Sequence, residues 1–539
     1  MECGHGGQNF CKRSKLITEK TLGAYRGQIA RTTMVVALAV VANKSLVFVL
    51  EILLAAWFGT TFIKDAYLVA LVIPNLIFIV GIETITVTCV PLFMRLLSRE
   101  SSEETWSIVS SIVNVTLLSL GGICVIYVLL APWVISLIAP GFSQQNLALA
   151  TKLTRIISPI IIWGGLIGFL VGILYSYKRF TLAAFRLTFY NLIVIGFVYL
   201  FRSRWGIISL ALAVTGASFF QVVVLLLGLR KTKSYYRVSI DIKHPHLKGM
   251  AMAMTLVILG VTLTQLNFLI ERAMASGLAE GSISSLDFAY KLMRMPFEVF
   301  AVAIATVVFP NITGLVISED ASKLREVFTS ALRMTAFITI PATVILIALR
   351  TPLIRILFER GEFGVSSTRM TATALFYYSF GLLFHGVNYV IIRTYYAFKD
   401  YKTPLKMGLI AIGLYILFNS ILIRHLAHGG LALGCSLAAM CYTVMLLKNL
   451  KIKMKGLPVI IFLKPLVKIV AGSALMGVVF IFMGRVPIYS PILRFMLVLG
   501  AGGLTYSAAC FFLKIQEASQ ILKTSIEFIR GTGILKSVR

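Results

Sequence analysis

Fourteen stretches of this chain are apolar for long enough to cross about 30 Å of hydrocarbon, and that requirement fixes the fold class before any motif is read. They centre in 34–58, 66–94, 107–130, 153–175, 182–201 and 207–229, then in 249–275, 285–317, 327–349, 367–395, 404–424, 429–448, 457–484 and 489–513. Inside lipid each backbone N–H and C=O must find its partner within the protein, which leaves helices or a closed barrel. Continuous runs of this length select helices. The expected class is an all-α polytopic membrane protein. The 13% of charged residues, against roughly 25% in soluble domains, agrees with it.

The formal charge of +30 is not the patch of a nucleic-acid binder, because Lys and Arg fall in short clusters between the apolar runs. About four times as many lie on the side of the N-terminus as on the other, the asymmetry of a protein with both ends in the cytoplasm. The seven cysteines show neither metal-ligand spacing nor a disulfide framework. Residues 1–33 form a basic cytoplasmic extension and not a cleavable signal. A basic linker at 231–248 divides six spans (34–230) from eight. The segment 514–539 has the Leu/Ile spacing of an amphipathic tail on the cytoplasmic membrane face.

Three weak matches share nearly one offset. Ala66-Tyr67 with Pro74 and Pro91 matches Ala289-Tyr290 with Pro296 and Pro310. Gly141-Phe142 matches Gly361 with Phe363, and Tyr175 to Phe180 matches Tyr396 to Tyr401 around Lys178 and Lys399, 221 residues apart. Two parallel six-helix lobes follow, 34–230 and 249–450, related by an axis along the membrane normal, with two further helices in 457–513 outside the repeat. That is a transporter architecture.

Several motifs carry a resemblance: Phe58-Gly59, Asp65-Ala66-Tyr67, Ile73-Pro74-Asn75-Leu76, Ala131-Pro132-Trp133, Ala139-Pro140-Gly141-Phe142, the run from Ala275 to Pro310, and Arg393 to Asp400 leading to Thr403-Pro404. Over about residues 34–450 the chain resembles the MurJ/MviN family of the MOP flippase superfamily. The resemblance implies a flippase for lipid II in the bacterial cytoplasmic membrane, with outward- and inward-facing states, a central cationic cavity, and a groove for the lipid tail along the last two spans. The implied partners are a lipid-linked glycan and membrane lipids, with association to cell-wall synthesis enzymes. The chain is expected to act as a monomer, without metal or cofactor, coupled to membrane potential or a monovalent cation. It departs from the family pattern at Leu50 before Glu51, at Ile77-Phe78-Ile79, and at Lys291 in place of an arginine. These departures keep another polyprenyl-linked oligosaccharide as an alternative substrate.

Ionisable side chains at membrane depth are costly and are functional candidates by default. Lys44 and Glu51 stand two turns apart on one face of the first span, toward a cavity or snorkelling to an interface. Glu83 lies mid-span, where a bare carboxylate needs a partner, Lys44 being the nearest candidate; it is also a candidate for titration. Lys291 and Arg294 share a face at i and i+3 and suit a phosphate, or form an ordinary interfacial pair. Asp65 is either a gate pairing across the lobes, with Lys291 as a candidate, or a helix N-cap. Glu271-Arg272 read as a solvated helix end, and Asn267, Asn388 and Asn419 as helix–helix hydrogen-bonding groups. A small-molecule or ion antiporter of the MATE type would need a coupling acid, Glu51 or Glu83. A membrane glycosyltransferase would need an acid cluster in a sizeable outer loop, and Glu359 with Glu362 is the only close pair there.

Overall fold

The computed structural model describes residues 34–99, 102–230, 245–454, 459–484 and 490–520, with Tyr236, Val238 and Gly456. The extension 1–33 and most of the linker and tail lie outside them.

The expected spans appear as helices in the expected order. The first repeat holds α1 (Met34–Phe58), α2 (Phe62–Arg99), α3 (Ser102–Ile138), α4 (Gln144–Ile157), α5 (Ile160–Ser176), α6 (Phe180–Trp205) and α7 (Ile207–Leu229). The second holds α8 (Pro245–Ala275), α9 (Ser282–Pro296), α10 (Val302–Ile317), α11 (Ala321–Ala348), α12 (Arg350–Phe358), α13 (Val365–Ser379), α14 (Leu382–Ala397), α15 (Lys402–Leu426) and α16 (His428–Lys453). The helices α17 (Val459–Met483) and α18 (Pro491–Phe512) follow. Among the described residues twelve helices are long and apolar enough to span, and the pair α13–α14, bent by 46°, would make thirteen. The fourteen expected spans are thus matched closely rather than one for one; α8, 31 residues long, has many side chains outside the described set.

The repeat is visible in the backbone. Lys178 and Lys399, 221 residues apart, both take φ 57°. Each N–H bonds the carbonyl three residues back at 2.9 Å, and the next residue's N–H reaches five back, Arg179 to Leu174 at 2.8 Å and Asp400 to Tyr395 at 3.0 Å. This is the left-handed turn that closes a helix C-terminus. Gly206 (φ 53°, ψ −133°) and Ala427 (φ 48°, ψ −129°), again 221 apart, join α6 to α7 and α15 to α16 with the same geometry. Sequence matched only the first of these two pairs, since Gly and Ala share no side-chain signature.

The chain divides by contacts into two units. The first contains the described residues up to Leu53, Val69–Ile135 and Leu147–Thr262; the second contains Leu54–Leu68, Ser136–Asn146 and Leu263 onward. The division therefore falls inside α8 and not at the basic linker, and two short segments of the first repeat pack into the second unit.

In the first unit the core is built on α5. Gly164, Gly168 and Gly172 stand at i, i+4 and i+8 against α2. A Cβ on Gly164 would lie 2.9 Å from the Phe78 backbone, and one on Gly168 would lie 3.0 Å from the Gly81 carbonyl. Small residues let two backbones approach in lipid, where dispersion replaces the hydrophobic effect as the force that joins helices. Phe93, Trp106, Ile167 and Leu174 complete this core. In the second unit Phe328, Val390, Ile391, Tyr395 and Leu446 form the counterpart. Beyond Pro296 the helix loosens into a π-turn, Phe297–Ala301, before α10 resumes, a feature that recurs at functional sites.

Candidate functional site

The second unit contains a buried cluster of charge. Asp65, in the first turn of α2, is 4% exposed. Its carboxylate accepts from the Gly281 N–H at 2.8 Å, the Ser284 N–H at 2.7 Å and the Ser284 hydroxyl at 2.5 Å. It therefore caps the N-terminus of α9, a remote helix, and not its own. The free N–H groups of a helix start favour an anion. Burial makes the three bonds count, because each donor would otherwise lack a partner.

Arg272 donates to Asp287 at 2.9 Å, to Glu271 at 3.1 Å and to the Ile283 carbonyl at 3.3 Å. The Tyr378 hydroxyl donates to the other oxygen of Glu271 at 2.7 Å. Lys291 reaches Asp287 at 2.8 Å. Lys64, 1% exposed, lies 5.4 Å from the Phe288 ring and 5.6 Å from that of Tyr67. Three cations and three carboxylates thus balance within one unit. The reading of Glu271-Arg272 as a solvated helix end is corrected: they are 5% and 4% exposed, held by opposite charge and a phenol. Lys291 pairs with Asp287, and both oxygens of Asp65 are taken up by the start of α9, so of the two readings of Asp65 the geometry favours a cap, though of a remote helix, over a pairing with Lys291.

The same helix carries the charge onward. Asp287, Lys291, Arg294 and Glu298 recur at i, i+4, i+7 and i+11 along one face, and Arg294 pairs with Glu298 at 3.0 Å over the ring of Tyr290. The Lys291 and Arg294 side chains are 42% and 38% exposed, so their heads remain reachable.

Around Asp65 the backbone is clamped. Gly281, at φ 82°, would place a Cβ 2.2 Å from the Thr60 carbonyl, and Gly361, at φ 58°, the same distance from that of Ala56. Neither position admits another residue without rearrangement. The Glu362 N–H bonds the Ala56 carbonyl at 3.0 Å, the Thr60 hydroxyl bonds Ser367 at 2.7 Å, and the Gly141 N–H bonds Ser276 at 3.1 Å. All of these contacts lie within the second unit.

The remaining expected residues belong to the first unit. Lys44 is exposed and Glu51 half-buried on α1. Glu83 stands on an exposed face of α2, and among the described residues no ion pair to it is found, Lys44 included. The burial that would demand a partner is absent. Of the three asparagines, Asn388 joins α14 to α16 through the Ala439 carbonyl at 3.2 Å and the Thr443 hydroxyl at 2.9 Å, the helix–helix role expected for it. Asn267 is exposed and Asn419 is fully buried. Sequence reading passed over Lys64, Asp287 and Tyr378. The signal for Asp287 was its spacing, one turn before Lys291, in a chain with five aspartates.

A family model described as "Lipid II flippase MurJ" matches residues 54–500. The chain belongs to the MurJ family. It is 27% identical over 416 residues to a "Probable lipid II flippase MurJ" of Buchnera aphidicola subsp. Schizaphis graminum, covering 76% of this chain and 81% of that one. It is 28% identical over 413 residues to the "Lipid II flippase MurJ" of Burkholderia cenocepacia, covering 74% and 80%. A solved MurJ structure in an "inward closed conformation" superposes with a TM-score of 0.78 at 26% identity, covering 89% of this chain and 99% of that one. An inward-facing multidrug MATE transporter of the MOP superfamily shares the fold, with a TM-score of 0.62 at 13% identity over 76% of this chain and 98% of that one. The fold class, the multi-pass membrane character and the family resemblance read from the sequence therefore hold.

Proposed function

We propose that this chain carries lipid II, the undecaprenyl-pyrophosphate-linked peptidoglycan precursor, from the inner to the outer leaflet of the bacterial cytoplasmic membrane by alternating access. Family membership is the observation that carries the reading, and the charged face of α9 gives it a chemistry. A pyrophosphate needs cations that can exchange partners. Lys291 shares Asp287 with Arg272, so a phosphate can take Lys291 while Asp287 stays neutralised. Arg294 can likewise leave Glu298, which is 29% exposed.

The isoprenoid tail has a matching surface in the second unit. An apolar groove of about 510 Å³ opens beside the π-turn, lined by Val299, Phe300, Phe337, Pro341, Met476 and Tyr506. It joins the helix that bears the cations to α17 and α18. The clamp around Asp65 is the gate of this scheme, placed on the outer side by the positive-inside rule with both termini cytoplasmic. Membrane potential acts on any net charge moved, by about 2.3 kcal/mol per charge per 100 mV.

Depletion of the resident lipid II flippase in a bacterium expressing this chain tests the proposal, with lipid II exposure at the outer face as readout. Rescue that is lost in Lys291→Ala supports it. Membrane expression without rescue, with a different polyprenyl-linked glycan co-purifying in native mass spectrometry, transfers the same mechanism to that glycan. The second reading draws on Ile77-Phe78-Ile79 and Lys291, where the family pattern has arginines.

A further inference from the structure

Arg186 differs from the other cations of the spans. It is the seventh residue of α6, about 9 Å from the helix start at 1.5 Å per residue. Its side chain is half-buried and its Nε is closed off from solvent without a hydrogen-bond acceptor. Among the described residues Arg186 has no ion pair and no acceptor for its other N–H groups. By contrast Arg272 and Lys291 have Asp287, Arg294 has Glu298, and Arg333 has Glu517 at 3.2 Å. Arg179, two turns earlier on the same side of the chain, is committed to the Gly228 carbonyl at 2.8 Å.

A snorkelling arginine keeps its whole head in water. Here Nε is enclosed and has no acceptor, so part of the head is held out of water. The fold does not need the charge: the position 221 residues on, in α15, is Met407. A planar fork of unsatisfied donors within a membrane span matches a phosphate, which accepts two parallel bonds.

We propose that Arg186 is an anion-binding residue of the first unit, and that its ligand is the phosphate of a polyprenyl-linked headgroup. The inference rests on the function proposed above and adds to it a phosphate contact in the repeat that lacks the family's arginines. Phosphatidylglycerol would offer the same chemistry from the bulk membrane, so the test separates the two sources.

Full-length protein in detergent is titrated by native mass spectrometry with undecaprenyl pyrophosphate, undecaprenyl monophosphate and phosphatidylglycerol. Compared with wild type, R186Q should weaken undecaprenyl pyrophosphate about ten-fold, and R186K several-fold because a point charge replaces a fork. Phosphatidylglycerol should bind unchanged. R186K retains the charge and serves if R186Q does not accumulate. Wild-type affinity in both variants overturns the inference, as does an equal loss for all three lipids, which marks a general interfacial charge. If wild type binds neither polyprenyl phosphate, the proposed function falls with it. If K291Q weakens binding and R186Q does not, only the role of Arg186 falls.

Discussion

The two repeats close the same turn with opposite chemistry. After α5, Arg179 donates to the carbonyl of Gly228 at the end of α7. After α14, the residue 221 positions on is Asp400, which bonds the Thr403 N–H at 3.0 Å and pairs with Lys453 at the end of α16. Each tethers a connection to the last turn of a helix two elements later, once with a cation and once with an anion. Deeper in the spans the contrast widens. The second unit buries its charges in a balanced, bonded cluster, whereas the first leaves Lys44 and Glu83 exposed and Arg186 without a partner. A shared backbone therefore constrains turns and helix lengths but not where charge is stored. The lesson is that the second unit gathers charges from both repeats, Asp65 among them, into one bonded cluster, and the first unit shows no counterpart among the described residues.

The largest expected effect tests that asymmetry. Arg272→Met leaves buried Glu271 without its cation and Asp287 with Lys291 alone, and should cost about 3–5 kcal/mol, read as a fall in the thermal unfolding midpoint in detergent. Its repeat counterpart, Glu51→Gln, should cost about 1 kcal/mol or less, because Glu51 is half-buried. Equal losses would break the comparison. A middle-sized effect comes from the paired turns. Ala427 occupies a backbone region suited to glycine, so Ala427→Gly should stabilise by about 1 kcal/mol and Gly206→Ala should destabilise by a similar amount. The smallest effect is in pH. Partial burial pushes the Asp400 carboxyl up, but Lys453 and Thr403 more than offset it and hold it at about 2. Its stabilising contribution is complete above the unfolded value of about 3.9 and is lost as pH falls from there through 2. Asp400→Asn should flatten unfolding midpoints measured across that window, while an Arg179→Gln variant keeps the wild-type slope.

Hydrophobic run length conveyed most of the fold, since lipid leaves few alternatives to a helix. The repeat was legible where aromatic and basic residues punctuate the turn at Lys178 and Lys399, and silent at Gly206 and Ala427, where only dihedral angles agree. Glu271 and Arg272 misled because a charge pair at the end of an apolar run looks solvated until Tyr378, 107 residues away, is seen to close over it. The segment 54–68 was assigned to the first lobe by chain order. Its glycine contacts with Glu362 and residues near 281 place it in the second unit. Arg186 escaped notice because its burial depends on neighbours that hydropathy does not report. The described start of the tail buries Ile515 and pairs Glu517 with Arg333 on α11, and the rest of the stretch expected on the membrane face lies outside the described residues.

A disulfide across the clamp is the most direct test that it must open during transport. The Thr60 and Ser367 hydroxyls are 2.7 Å apart, so the double variant Thr60→Cys, Ser367→Cys should crosslink on oxidation. Lipid II exposure at the outer face should stop when the pair is oxidised and return on reduction, with both single variants active throughout. Undiminished exposure by the fully crosslinked protein would show that the clamp stays shut through the cycle and contradict the account.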